Sequence, residues 1–157
     1  MENSIKLTPD QKQLIEKVGV MNERQGLQPA AARILALLLV SPETELGFDQ
    51  IRETLNLSKS AASNSLNLLM NIGKIDYVTK PGDRKRYFRN RIARWKDDVK
   101  ENFNKMNAVA DVLEEVLKQR PGNTTSFNQN LKDVVDFVHY LNDRLPAIYQ
   151  EWEETKK

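Results

Sequence analysis

The chain has 157 residues, enough for one domain or for one domain with an appendage, and it can bury a sizeable core. It contains no cysteine, which excludes disulfides and thiolate metal sites and is compatible with a reducing cytosol. The longest apolar run, Ile34 to Val40, is far too short to span a bilayer, and residues 1–10 lack the apolar run of a signal peptide. We therefore expect a cytoplasmic protein that does not insert into membranes.

The net charge of +2 conceals an uneven distribution along the chain. Residues 58–96 carry 10 basic and 2 acidic side chains, whereas the segments before and after them carry small acidic excesses. A basic excess of this size within so short a segment indicates a polyanionic partner. Residues 58–96 are therefore the first candidate for a binding surface.

The first predicted helix begins at Thr8, where Pro9 takes the first helical position and Gln11 completes a capping box. It ends at Gly26, and its apolar side is formed by Leu14, Ile15, Val18 and Met21. Because this helix precedes the candidate binding surface and has no obvious place within it, we expect it to pack against the C-terminal helices.

The next helix is predicted from Pro29 to about Val40. Its run from Ile34 to Leu39 is apolar nearly all round, which is typical of a buried central helix. The connection from Glu43 to Gly47 is expected to include one short strand that pairs with a later hairpin. A short helix from about Asp49 to Leu55 follows.

The segment from Lys59 to Ile72 is predicted to form a helix with one apolar and one polar side. Ser58 is a good N-cap, and Gly73 is a good residue to end the helix. The helical period places Ala62, Ser65, Leu66 and Leu69 together, and it places Ser60, Asn64, Asn67 and Asn71 on the opposite side. The polar side is short and uncharged, so it can lie against a polyanion and offer hydrogen-bond donors and acceptors to base edges.

A basic hairpin is predicted directly after this helix. Residues 75–79 and 86–88 have strand composition, and Pro81-Gly82-Asp83 has turn composition. Four basic residues crowd the tip and the returning strand, namely Lys80, Arg84, Lys85 and Arg86. A helix-turn-helix followed by a basic hairpin is the plan of a winged DNA-binding domain, in which the helix enters the major groove and the wing reaches phosphates or the minor groove.

Two long helices are predicted beyond the wing, from about residue 91 to residue 118 and from about residue 126 onward. Ser126 and Gln129 form a capping box for the second of them. Its apolar residues follow a heptad pattern through Phe127, Leu131, Val134, Val138, Leu141, Leu145, Ile148 and Trp152. Pro146 predicts a kink or a local break near Asn142.

These two helices are expected to form an antiparallel hairpin. One apolar seam can bury the other within the chain, but we favour a further role in dimerisation, because two recognition helices read a two-fold site about one DNA turn long. The predicted dimer interface comprises Leu14, Val18, Leu131, Val134, Val138, Leu141, Leu145, Ile148 and Trp152. The predicted organisation is an N-terminal helix supporting dimerisation (1–26), a winged helix-turn-helix (27–90) and a dimerising helical hairpin (91–157), mostly α with a small β-hairpin wing.

Two other classes of function compete with DNA binding. An enzyme is not favoured, because His139 is the only histidine and no Gly-rich loop precedes a helix; we expect no cofactor and no metal. A winged helix can also serve as a protein–protein assembly module. That alternative predicts an apolar or acidic recognition surface, whereas this one is polar and its wing is basic.

The order of these elements, the segment from Leu57 to Ser63 (LSKSAAS) and the wing from Lys80 to Phe88 (KPGDRKRYF) resemble MarR-type winged-helix transcriptional regulators. The segment from Gly26 to Pro29 (GLQP) and the PGDRK wing are similar to the GbsR-like branch. The resemblance covers residues 10–96 well and the C-terminal hairpin only in architecture. It implies a homodimeric bacterial regulator that binds a palindromic operator, often as a repressor.

In that family the aspartate–arginine pair of the wing places the arginine at the minor groove, a role that falls here to Asp83 and Arg84. Some GbsR-like proteins respond to choline, but most aromatic residues of this chain lie at core spacing. We therefore do not assign choline to this chain, and a small-molecule effector of other chemistry stays an open alternative.

Each predicted DNA-binding residue has an expected role on double-stranded DNA. Ser63, Asn64 and Asn67 are expected at base edges or nearby phosphates, with Lys59 and Ser60 at the backbone. Lys80, Lys85 and Arg86 are expected to neutralise phosphates. Because Lys85 and Arg86 alternate across a strand, only one of them needs to face the DNA.

Overall fold

The computed structural model describes residues 4–156, and the chain forms two compact units, Met1–Ile92 and Ala93–Lys157. The first unit contains α1 (Pro9–Arg24), α2 (Pro29–Val40), β1 (Leu46–Gly47), α3 (Phe48–Thr54), α4 (Lys59–Asn71), β2 (Ile75–Thr79) and β3 (Arg86–Asn90). The second contains α5 (Trp95–Gln119) and α6 (Thr125–Glu154), and a short 3₁₀ turn at Ile92–Arg94 lies at the boundary. This is the predicted fold, a winged helix-turn-helix with a long helical hairpin. Within residues 4–156, no helix is both long and apolar enough to cross a membrane.

The core of the first unit is built around α2. Ala31, Ile34 and Leu37 of this helix have no exposed surface, and α2 packs against α1, α4 and β3. Fully burying a leucine or isoleucine side chain contributes roughly 1.5–3 kcal/mol to folding. The prediction of a buried central helix is confirmed, and α2 supports both α4 and the strand β3 of the wing.

The first helix packs against α2 and thus belongs to the winged-helix core. Ile15 is buried in the shared core, and Arg33 of α2 forms ion pairs with Glu16, at 3.0 Å, and with Glu23. Gly19 lets the helices approach, because a Cβ there would lie 3.0 Å from Cδ of Arg33. The expectation that this helix has no place within the core was wrong: one side of it carries the small and apolar residues that α2 requires.

The second unit is an antiparallel helical hairpin. His139 Nε2 lies 3.0 Å from Oδ1 of Asp111, and Lys96 near the start of α5 forms an ion pair with Glu153 near the end of α6. Ala110 is the buried residue of α5 that faces this seam. The predicted hairpin is confirmed. Of the kink or local break predicted near Asn142, the break is absent, because α6 continues through Pro146 to Glu154.

Two details of α6 differ from the sequence-based expectations. The helix begins at Thr125, and Gln129 donates to Asp133 rather than closing a capping box with Ser126. Thr124 precedes the helix without a side-chain cap, and Arg120 Nε donates to Oδ1 of Asn128 across the loop.

The apolar seam of α6 is also broader than the predicted heptad. The residues that are buried or half-buried on the hairpin side include Asn128, Leu131, Val135, Val138, Asn142, Leu145 and Tyr149. Half of the predicted heptad therefore lies on the exposed side, where Val134 is 51% and Ile148 is 50% exposed.

Candidate nucleic-acid interface

A tight turn joins α3 to the recognition helix α4. Asn56 adopts a left-handed conformation with φ 51°, which asparagine tolerates better than most residues, and Leu57 N–H donates to the carbonyl of Arg52 at 2.9 Å. Ile51 of α3 is fully buried, so the turn is held against the core. The hydroxyl of Ser58 then accepts the N–H of Ala61 at 3.1 Å, which confirms the predicted N-cap.

Helix α4 separates its apolar and polar residues as predicted. Ala62, Leu66 and Leu69 are buried together with the small Ser65. The five residues of α4 that are predicted to contact DNA are all exposed: Lys59, Ser60, Ser63, Asn64 and Asn67. The hydroxyl of Ser60 lies 3.2 Å from that of the capping Ser58, so it is held beside the helix N-terminus.

The wing is anchored by a three-stranded antiparallel sheet in the order β1-β3-β2. The predicted strand in the 43–47 connection is present: Leu46 pairs with Phe88 and Gly47 pairs with Tyr87. On the other edge of β3, Tyr77 pairs with Phe88. Phe88 is 1% exposed and is one of the largest buried side chains of the core, so it anchors the central strand of the wing.

The tip of the wing is a type II β-turn. The carbonyl of Lys80 accepts the N–H of Asp83 at 3.0 Å, and Gly82 has φ 78°. Proline suits the second position of such a turn, and glycine suits the third because φ is positive there. Pro81-Gly82-Asp83 thus forms the turn predicted from its composition.

Asp83 uses both carboxylate oxygens to organise the residues after the turn. Oδ2 accepts a 2.6 Å hydrogen bond from the hydroxyl of Tyr87, and Oδ1 accepts the N–H of Lys85 at 2.9 Å. The bond from Tyr87 is the main reason that the pKa of Asp83 lies below its ordinary value of 3.8, and the same bond raises the pKa of Tyr87 above 10.0. At neutral pH the carboxylate is therefore charged and the phenol keeps its proton.

The basic residues of the wing differ in how they are held. Lys80 Nζ lies 4.1 Å from the centroid of the Tyr87 ring and 3.8 Å from Oε2 of Glu45. Arg86 stacks near Tyr77, with 5.2 Å between the guanidinium carbon and the ring centroid. Arg84 and Lys85 are exposed.

No ion pair joins Asp83 to Arg84 in the described part of the chain. Asp83 instead bonds to two residues beyond Arg84: it accepts the N–H of Lys85 and the hydroxyl of Tyr87. Sequence reasoning missed Tyr87; the signal available was an aspartate four residues before a tyrosine across a turn. It also missed Arg89, whose Nε donates to Oδ1 of Asp76 at 2.6 Å across the two wing strands.

Two other kinds of site were considered from the sequence, a metal site and a catalytic role for His139. Between residues 4 and 156, no three histidine, aspartate or glutamate side chains lie close enough together to hold a metal ion. His139 is part of the α5–α6 hairpin, where it contacts Asp111.

Comparison with known proteins gives a relative by sequence and a likeness in fold. No protein-family model matches the chain. The HTH-type transcriptional regulator MmpR5 of Mycobacterium tuberculosis is 24% identical over 135 residues, which are 86% of this chain and 82% of that protein. A crystal structure of a transcriptional regulator superposes with a TM-score of 0.68 at 23% identity, covering 93% of this chain and 99% of the other, and it shows the same fold. The adhesin competence repressor AdcR of Streptococcus pyogenes, 20% identical over 88% of this chain and 98% of its own, gives a TM-score of 0.37, which does not establish a shared fold.

The N-cap of α4 gives a first testable prediction. Ser58→Ala removes the hydroxyl that accepts the N–H of Ala61, so we expect the free energy of unfolding to fall by about 1 kcal/mol. Urea denaturation followed by far-UV circular dichroism measures this change. The matched control is Ser63→Ala in the same helix, an exposed position at which the change should stay within about 0.5 kcal/mol. Equal effects of the two substitutions would contradict the capping role.

Proposed function

We propose that this chain is a sequence-specific DNA-binding transcriptional regulator that acts as a homodimer on a palindromic operator. The observation that carries the proposal is the combination, in one compact unit, of an exposed polar recognition helix without acidic residues and a basic wing. The relative MmpR5 is named a transcriptional regulator, which supports the same role. The resemblance to MarR-type regulators of the GbsR-like branch belongs to this proposal.

The side chains of α4 are suited to reading base edges. Asn64 and Asn67 offer an amide donor and acceptor that match adenine in the major groove, and Ser63 offers a hydroxyl. Lys59, in the first turn of the helix, provides a positive charge for the DNA backbone, with the Ser60 hydroxyl beside it. In this proposal α4 supplies sequence specificity and little of the electrostatic affinity.

The wing supplies the complementary contribution. Arg84 is exposed directly after the turn, which suits insertion into the narrow, electronegative minor groove of A·T-rich DNA. Lys85 and Arg86 are exposed beside it and would neutralise phosphates, as would Lys80 at the base of the turn. Asp83 shapes the turn that presents Arg84, through its hydrogen bonds with the N–H of Lys85 and the hydroxyl of Tyr87.

Exposed apolar residues on the helices support dimerisation. Leu14 of α1 is 46% exposed, and Val134 and Ile148 of α6 are about half exposed at the edge of the hairpin seam. Among the other predicted interface residues, Val18, Leu131, Val138, Leu141 and Leu145 are partly buried, and Trp152 is 36% exposed. Surfaces of this kind on helices are typical of protein–protein contacts.

The proposal extends to repression in the cytoplasm of a bacterium, with a small ligand of unassigned chemistry lowering operator affinity. Such a ligand acts only if it binds more tightly to an arrangement in which the two recognition helices no longer match the operator half-sites.

DNA binding itself is tested by fluorescence anisotropy with DNA from the region upstream of the gene and with a scrambled duplex of the same composition. We expect tighter binding to the first duplex, with affinity falling steeply as salt rises, because several phosphate contacts release counterions. Absence of binding to both duplexes at low salt would overturn the proposal and favour a protein–protein assembly module.

Arg84 should contribute strongly to this affinity. Arg84→Ala is expected to weaken operator binding about 5- to 150-fold, corresponding to roughly 1–3 kcal/mol, without changing the unfolding transition. The matched control is Lys12→Ala, which removes one positive charge from an exposed position of α1. Unchanged affinity of the Arg84 variant would remove that residue from the binding mechanism.

The oligomeric state is tested by sedimentation equilibrium. We expect a mass of two chains at micromolar concentration, and Val134→Asp should weaken the association at least about 100-fold, because an unpaired charge is costly to bury in an interface. Asn130→Asp adds the same charge at another exposed position of α6 and is expected to leave the mass unchanged. A single-chain mass for the unsubstituted protein would contradict the homodimer.

A further inference from the structure

We infer that Tyr87 is a positioning residue for the DNA-binding wing, because its hydroxyl fixes Asp83 and the Asp83 carboxylate in turn fixes the backbone around Arg84. This inference rests on the proposed function and deepens it. It assigns a role in DNA binding to an uncharged residue that need not touch the DNA.

The hydrogen bonds of Asp83 enclose Arg84. Because Oδ1 of Asp83 accepts the N–H of Lys85 at 2.9 Å, Arg84 is the middle residue of a side-chain-closed turn. The other oxygen accepts the Tyr87 hydroxyl at 2.6 Å, so the carboxylate cannot rotate without breaking one of the two bonds. A charge-assisted hydrogen bond of this length is among the stronger ones in proteins.

Tyr87 is well placed to hold this carboxylate, because its own backbone is held on both sides. It lies in the central strand β3, paired with Gly47 of β1 and with Val78 of β2. Its ring is covered by the ammonium of Lys80 at 4.1 Å, and a Cβ at Gly47 would lie 3.9 Å from ring carbon Cε1. The hydroxyl of Tyr87 therefore connects the sheet to the tip of the wing.

The tip needs such a connection because it has no packing of its own. Pro81, Gly82, Arg84 and Lys85 are exposed, whereas Asp83 and Tyr87 are half-buried. An exposed arginine that enters a narrow groove must be ordered at some entropic cost, and a wing already fixed in the binding conformation lowers that cost. The Asp83–Tyr87 bond supplies this order from outside the turn, alongside the contacts of Lys80 with Glu45 and with the Tyr87 ring.

Tyr87→Phe tests the inference because it removes the hydroxyl and keeps both the ring and the net charge. If the freed wing occupies the binding conformation for a tenth to a third of the time, operator affinity falls by about 3- to 10-fold. The matched control is Tyr77→Phe in the neighbouring strand β2. The structure gives the Tyr77 ring contacts to Phe88 and Arg86, both of which phenylalanine retains, so affinity should not change.

Two further measurements separate positioning of Arg84 from a general structural effect. The salt dependence of binding should become shallower in Tyr87→Phe, by up to the roughly one unit expected for Arg84→Ala, although Tyr87→Phe removes no charge. In a double-mutant cycle, Tyr87→Phe should cost little more affinity once Arg84 is alanine, because the two residues act through one contact. Full additivity of the two losses, or a loss equal to that of Tyr77→Phe, would overturn the inference.

A measurement without DNA keeps this inference distinguishable from the proposed function. The ¹⁵N order parameter of the Arg84 N–H should fall in Tyr87→Phe and stay unchanged in Tyr77→Phe. If the unsubstituted protein fails to bind any DNA, the proposed function is wrong whatever the order parameter shows. If it binds operator DNA and Tyr87→Phe binds equally well, only the positioning role of Tyr87 is wrong.

Discussion

The alternation of side chains along β3 is the constraint on which the rest of the winged unit depends. Successive side chains of a strand point to opposite faces, so Phe88 can enter the core only if Tyr87 faces the other way. Phe88 is 1% exposed and contacts the same core as α2 and α4. A shift of the pairing by one residue would expose Phe88 and withdraw the Tyr87 hydroxyl from Asp83 at once. Core packing thus sets the register of the strand, and the register sets the shape of the wing.

The acidic residues of the basic segment leave most of its positive charge available. Residues 58–96 contain 2 carboxylates, Asp76 and Asp83. Asp76 pairs with Arg89 across the two wing strands, and Asp83 bonds to Tyr87 and to the backbone of Lys85. The Asp76–Arg89 ion pair is exposed to solvent and therefore contributes little to stability. The main consequence of these contacts is geometric, since neither carboxylate pairs with Arg84 and both lie where they brace the hairpin.

Local patterns predicted the fold of the winged unit well because its elements follow local rules. The amphipathic period of α4, the Ser58 cap and the Pro-Gly turn each depend on neighbouring residues alone, and each is confirmed. The failures involve side-chain contacts between different elements, which no single local pattern contains. Gly19 of α1 faces Arg33 of α2, and Arg120 bonds to Asn128 across the loop before α6. The bond from Tyr87 to Asp83 belongs to the same class, because it appears only once the turn has brought the two residues together.

The width of the α6 apolar stripe bears on how one helix can serve two contacts. If the apolar residues of α6 formed a single heptad seam, the hairpin would bury them and leave no apolar surface for a second partner. On the side of α6 that closes the hairpin, Val135 and Tyr149 are buried or half-buried together with part of the predicted heptad. Val134 and Ile148 stay exposed beside them. Neighbouring positions on a helix lie 100° apart, so the combined stripe is wide enough to face two other helices. Intrachain packing and dimerisation, which compete as interpretations of a single heptad, are therefore compatible on this helix, and the hairpin can form without using up the apolar surface that a second copy would need.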